Sequence, residues 1–234
     1  MSRQVQERTS QSRSYDQDVS QFMRKVYLWM TFGLLLSGGI AYYICNHPAI
    51  EQSILSQRWL FNSLLIAQLA CVISFSFLQK KCSSNTATAL FLLYCALTGV
   101  TFSVIFSLYS QSTITEAFFV TAGSFFALSL FGYATKRDLG PIGSFCYMGL
   151  FGMIIVMLMG FFIPSFRSDM MQMVIASIGV LVFSGLTAYD TQKIKARYHA
   201  EGGGKVAAVS GALTLYLDFI NLFLSLLRLF GGRR

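Results

Sequence analysis

IGSFCYMGLFGMIIVMLMGFFI, residues 142–163, is the stretch on which the fold turns. It runs 22 residues without a charge, and its apolar positions follow one another instead of alternating with polar ones. Wound as a helix at ~1.5 Å per residue it is ~33 Å long, enough to cross a hydrocarbon core of ~30 Å. A barrel strand would alternate in and out, which this segment does not do. Pro164 stops it.

The same pattern recurs on both sides. Counting from the N-terminus, apolar helices are expected over about Val26–Asn46, Trp59–Leu78, Thr86–Tyr109, Ile114–Tyr133, Ile142–Ile163, Met170–Asp190 and Val206–Phe230. The predicted fold class is therefore an all-α membrane protein with seven transmembrane helices. Composition agrees: 54% of the 234 residues are hydrophobic and 12% charged, about half the charged share of soluble domains. Residues 1–25, rich in Ser, Gln and Arg, read as a polar cytoplasmic tail, disordered or loosely surface-bound. They do not resemble a cleavable signal. Residues 26–230 form the transmembrane domain and 231–234 a short basic end.

A net charge of +8 raises nucleic acid as a partner, but the cations stand singly or in pairs between apolar segments. That placement suits loops facing an anionic leaflet, so membrane lipids are the expected partners and nucleic acid is not. With the N-terminus inside, thirteen Lys and Arg fall on its side and five opposite, which favours a cytoplasmic N-terminus. Arg233 and Arg234 are the dissent, since they then lie outside. The five cysteines (Cys45, Cys71, Cys82, Cys95, Cys146) share no metal-ligand spacing and read as small buried hydrophobes.

Eight of the ten carboxylates fall in tails, loops or helix ends; Asp190 and Asp218 belong to apolar segments. An aspartate at a helix centre costs about 2.5–3.5 kcal/mol on the insertion scale, so it marks a function or a partner. Gly211, Thr214, Asp218, Asn221, Ser225 and Arg228 follow at spacings of 3, 4, 3, 4 and 3, one stripe of the last helix. Small and polar stripes also serve as plain packing faces, and the ionisable group is what tilts this one toward function. Asp190 ends the sixth predicted helix, where Lys193 or Lys195 offers it an interfacial ion pair. A tension follows: Asp218 is ~18 Å into its helix from Val206, while Asp190 lies near the cytoplasmic edge.

Leu215-Tyr216-Leu217-Asp218-Phe219-Ile220-Asn221-Leu222-Phe223, followed by Leu226-Leu227-Arg228, resembles the C-terminal signature of the transmembrane Bax-inhibitor-motif family. Ala188-Tyr189-Asp190-Thr191-Gln192 resembles its sixth-helix motif. The resemblance implies a last helix enclosed by the other six and a hydrogen-bonded pair of carboxylates at Asp190 and Asp218. It also implies a pH-sensitive calcium leak, a link to cell-death control in eukaryotic members, and a cation from the second helix latched onto the pair. Here the latch falls on Lys80 or Lys81, where lysine lacks the bidentate fork of arginine. Some relatives carry a glutamate in the second helix; this chain has Gln68.

Two carboxylates in contact in a low-dielectric bundle do not both ionise cheaply, and they titrate in two coupled steps. With both charged they need Lys80, Lys81, Arg228 or a metal ion. Calcium is the expected ion because it is hard and takes several oxygen ligands, which Asp190, Asp218, Asn221, Thr214 and backbone carbonyls supply in part. No cofactor is expected; protons and calcium are the expected small partners, with a membrane-protein partner left unnamed. No enzyme is expected either, since the two histidines, His47 and His199, lie in loops away from any nucleophile at membrane depth. The rival is a regulatory or scaffolding membrane protein, modulating cell death or membrane quality control without flux of its own. The compact chain points to a bacterial plasma membrane, with a eukaryotic internal membrane as the alternative.

Overall fold

The computed structural model describes the backbone of residues 2–78, 83–163, 166, 168–201 and 203–231, and side chains within these from Gln17 on, except at 55, 58, 61, 78, 161 and 199–201. Every regular element among them is helical: α1 (Ser2–Cys45), α2 (Pro48–Ser56), α3 (Arg58–Leu78), α4 (Ser84–Phe106), α5 (Gln111–Ala134), α6 (Gly140–Phe162), α7 (Asp169–Glu201) and α8 (Lys205–Phe230). Local chemistry sets several starts. The Ser83 and Ser110 hydroxyls accept from the amides of Thr86 and Thr113 as N-caps, and Pro48 and Pro141 occupy first turns, where a missing N–H costs nothing.

Among the described residues six helices are long and apolar enough to cross a bilayer: Gln17–Cys45, α4, α5, Gly140–Gly160, Asp169–Tyr198 and α8. Within α3 the apolar stretch Asn62–Phe77 is shorter. Phe162, Met170 and Phe77 are 87%, 81% and 80% exposed, a belt of bare apolar side chains that only lipid can cover. The protein is an all-α, multi-pass membrane protein.

Four expectations are corrected. Residues 17–25 are not a loose tail: α1 runs unbroken through the boundary at 25/26, and Val19, Phe22, Met23, Val26 and Met30 form a buried stripe at spacings of 3, 1, 3 and 4. Phe22 stacks on Tyr198 with ring centroids 5.0 Å apart, so this inner part of α1 packs on the inner part of α7. Secondly, α7 does not end at Asp190 but continues to Glu201, because Ile194 and Tyr198 prolong its apolar face through the charged residues. The loop expected between the first two spans likewise contains α2.

The fourth concerns the last helix. Buried residues make up 61% of the α8 span against 17% of α6, so α8 is central. It packs on α1, α4, α5 and α7, while α3 packs on α2 and α4 outside this ring. α8 is thus surrounded by four close neighbours and not by all the other spans. Its innermost link is Tyr216, whose hydroxyl lies 2.6 Å from the Ser37 hydroxyl of α1; Ser37 in turn donates to the Cys95 carbonyl of α4 at 2.7 Å. Gly132 is the tightest crossing: a Cβ there would collide with the carbonyl oxygen of Ala188, so only glycine lets α5 and α7 approach so closely.

Candidate functional site

The continuation of α7 removes the depth tension between the two aspartates. Asp190 is eleven residues before Glu201 and Asp218 thirteen after Lys205, so each stands ~16–20 Å from the α7–α8 turn. They are level. Both line one cavity of about 490 Å³ between α6, α7 and α8, where α6 and α8 do not pack closely.

Each carboxylate is buried, with Asp190 3% and Asp218 5% exposed. Asp190 accepts a hydrogen bond from the Tyr147 hydroxyl of α6 at 3.3 Å and faces Lys193 Nζ at 4.0 Å, one turn along its own helix. Lys193 is held between two rings, 5.5 Å from the centroid of Tyr147 and 5.2 Å from that of Tyr189. On Asp218 the Oδ2 is buried without a hydrogen-bond partner. A carboxylate oxygen left in that state costs stability and is open to a proton or a cation.

The predicted stripe divides. Thr214, Asp218, Asn221, Ser225 and Arg228 line the cavity, whereas Gly211 faces Ile194 and Val26. Thr214, Asn221 and Ser225 donate back to their own helix, to the carbonyls of Ser210, Leu217 and Asn221. Their remaining acceptor lone pairs are what they offer the cavity. No cluster of three or more His, Cys, Asp or Glu occurs among the described residues. Two carboxylates and neutral oxygens make a sparse shell for a hard cation, which takes about six to eight oxygens when held tightly.

Lys80 and Lys81, the predicted latch, lie outside the described residues. Gln68 is a structural clamp: its amide donates to the Leu97 carbonyl at 3.1 Å and to the Thr101 hydroxyl, fixing α3 to α4. Sequence reasoning missed Tyr147. The available signal was a phenol inside an uncharged run, since a buried hydroxyl has to find a partner.

Around Asp190 each residue of the α7 motif has a packing or bonding role. Ala188 meets Gly132, and the Tyr189 ring fills the space that a Cβ at Gly143 would take. Thr191 donates to the Thr187 carbonyl at 2.8 Å and lies 3.4 Å from the Ser129 hydroxyl of α5. Gln192 donates to the Arg137 carbonyl at 2.8 Å and accepts from the Leu139 amide at 2.9 Å, holding the α5–α6 turn. The carboxylate is therefore anchored from α5, α6 and the intervening turn.

A bundle with a central polar-striped helix and two buried aspartates at one depth defines a class of multi-pass membrane proteins with an ionisable core. Residues 19–234 match the family model described as "Inhibitor of apoptosis-promoting Bax1", and the chain belongs to the Bax inhibitor-1 family. Inner membrane protein YbhL of Escherichia coli K12 is 46% identical over 218 residues, covering 91% of this chain and 92% of its own. An uncharacterized protein of Borreliella burgdorferi is 44% identical over 220 residues, 92% and 93% of the two chains. An uncharacterized membrane protein of Streptococcus pyogenes is 40% identical over 221 residues, 92% and 94%. The protein is a multi-pass protein of the bacterial plasma membrane.

Proposed function

We propose that this protein is a pH-sensitive calcium leak channel in which Asp190 and Asp218 are both the proton sensor and a station on the calcium path. The observation that carries this is their shared depth on neighbouring helices, facing one cavity, with a buried oxygen of Asp218 unpartnered. Protons, calcium and the Lys193 ammonium compete for the same oxygens, and the outcome biases the packing of α7 against α8. The cavity continues past Asn221 and Ser225 to Arg228, over fourteen residues or ~21 Å of α8. A path of that length covers most of a leaflet pair.

The same proposal counts α3 as a seventh span. At 21 residues it is ~31 Å long, and Ile66, Leu69 and Phe77 project from it exposed. With a cytoplasmic N-terminus this places the end of α8 outside. Calcium flux through purified protein in liposomes, scanned over pH, tests the function. A leak whose pH dependence changes in both Asp190→Asn and Asp218→Asn is expected. Flux unchanged by either substitution would remove the pair from the mechanism, and no flux from folded protein at any pH would favour a scaffold that needs a partner.

A further inference from the structure

α1 and α5 do not pack closely on each other. Between them runs a lateral groove of about 680 Å³ with Phe219 of α8 as its floor. Its α1 wall extends from Ser20 to Leu34 and its α5 wall from Tyr133 to Phe118, each ~21–23 Å long. The groove opens sideways past Leu28, Phe126 and Leu130, all more than half exposed.

The two ends differ in chemistry. At one end α1 contributes Ser20, Arg24 and Tyr27, and α5 contributes Ser129 and Tyr133. Lys195 arrives from α7, its ammonium donating to the Tyr133 carbonyl at 3.0 Å and lying 4.4 Å over the Tyr133 ring. Lys25 follows Arg24, and Lys136 and Arg137 follow α5, against Asp18 and Asp138 as the acidic groups nearby in sequence. Asp138 is engaged with the Gly140 amide. Toward the other end the lining becomes Leu34, Phe118 and Phe219.

We propose that this groove is a binding site for an anionic phospholipid, with the phosphate at Arg24 and the Tyr27 and Tyr133 hydroxyls and one acyl chain lying between α1 and α5. Charge complementarity selects the headgroup: a cation and several hydroxyl donors meet where α1 passes from its polar to its apolar part. Length selects the tail, because one leaflet contributes ~15 Å of hydrocarbon and the groove exceeds that. The bare face of α6 offers apolar side chains without a cation, so the ordinary lipid annulus does not present this combination.

The test is native mass spectrometry of the full-length protein in detergent, offered equimolar phosphatidylglycerol and phosphatidylcholine with the same acyl chains. One phosphatidylglycerol retained in preference is expected, and Arg24→Gln should reduce that retention about five-fold. Lys205→Gln, a cation that does not line the groove, should leave it unchanged. Ala122→Phe fills the middle of the groove and should reduce both lipids; Leu130→Trp on the rim serves the same end if the first variant does not fold. Equal retention of the two lipids, equal losses from Arg24→Gln and Lys205→Gln, or full retention in the groove-filling variants would each overturn the site. So would a dimer that Leu130→Trp disperses, since the groove would then be an interface between two copies.

Discussion

Asp218 and Tyr216 stand two residues apart on α8 and have opposite environments. Tyr216 is fully buried within a three-helix hydrogen-bond relay. Because the Ser37 hydroxyl faces the Gly33 and Cys95 carbonyls, which can only accept its one proton, the tyrosine is the donor to Ser37. Tyr216→Phe removes that donor and leaves the Ser37 to Cys95 link intact, so the expected loss is about 0.6 kcal/mol, the usual scale for such bonds in membrane bundles. Asp218 faces the cavity with a buried oxygen unsatisfied. Asp218→Leu should therefore stabilise the protein by about 1 kcal/mol while abolishing any pH response of the flux. Unfolding in detergent, followed by near-ultraviolet circular dichroism, checks both; a destabilised Asp218→Leu would mean that the carboxylate has a structural role. A residue-level reading of the chain found both aspartates and the stripe around Asp218. Tyr147 it misses: a phenol in an uncharged run says that a partner is needed, but nothing in a one-dimensional pattern says that the partner is Asp190.

At the scale of elements, glycine governs how near helices come. Gly132 sits against the Ala188 backbone, whereas a Cβ at Gly123 on the same helix would meet nothing within 4 Å. Gly132→Ala should cost about 3 kcal/mol or prevent assembly, because the obstacle is backbone and cannot rotate away. Gly123→Ala should be neutral or slightly stabilising. The yield of monodisperse protein and its melting temperature distinguish them. Spans in the interior of the chain were legible because lipid demands ~20 apolar residues regardless of neighbours. Helix ends at the polar surface were not. Charge marks where a helix leaves lipid, not where it stops, so composition alone ends α7 at Asp190 and starts α1 at Val26, short of their observed ends. The stripe from Val19 to Met30 and the pair Ile194 and Tyr198 carried the continuation, but as a spacing beneath a polar composition.

For the whole molecule the number of crossings fixes which side each end occupies. Six spans return the chain to the side on which it began; α3 as a seventh reverses that. A reporter pair fused after α8, one member active in the cytoplasm and the other outside it, should show an external C-terminus and a cytoplasmic N-terminus. Both ends on one side would remove α3 from the bilayer. Lys and Arg on the two sides, thirteen against five, support the same orientation. The centrality of α8 could be anticipated from its polar stripe. Its ring of four neighbours could not, because which helices touch depends on small-residue contacts far apart in the chain, such as Gly132 with Ala188.

The equal setback of Asp190 and Asp218 from the short α7–α8 turn bears on how the protein is made. Neither helix has to be handed from the insertion machinery to lipid as a lone rod with a naked acid half-way along it. Folded back between Glu201 and Lys205, the two segments carry their acids to one depth as a single hairpin. Adding or deleting a turn of helix on one arm of that hairpin would put the acids out of step during biogenesis.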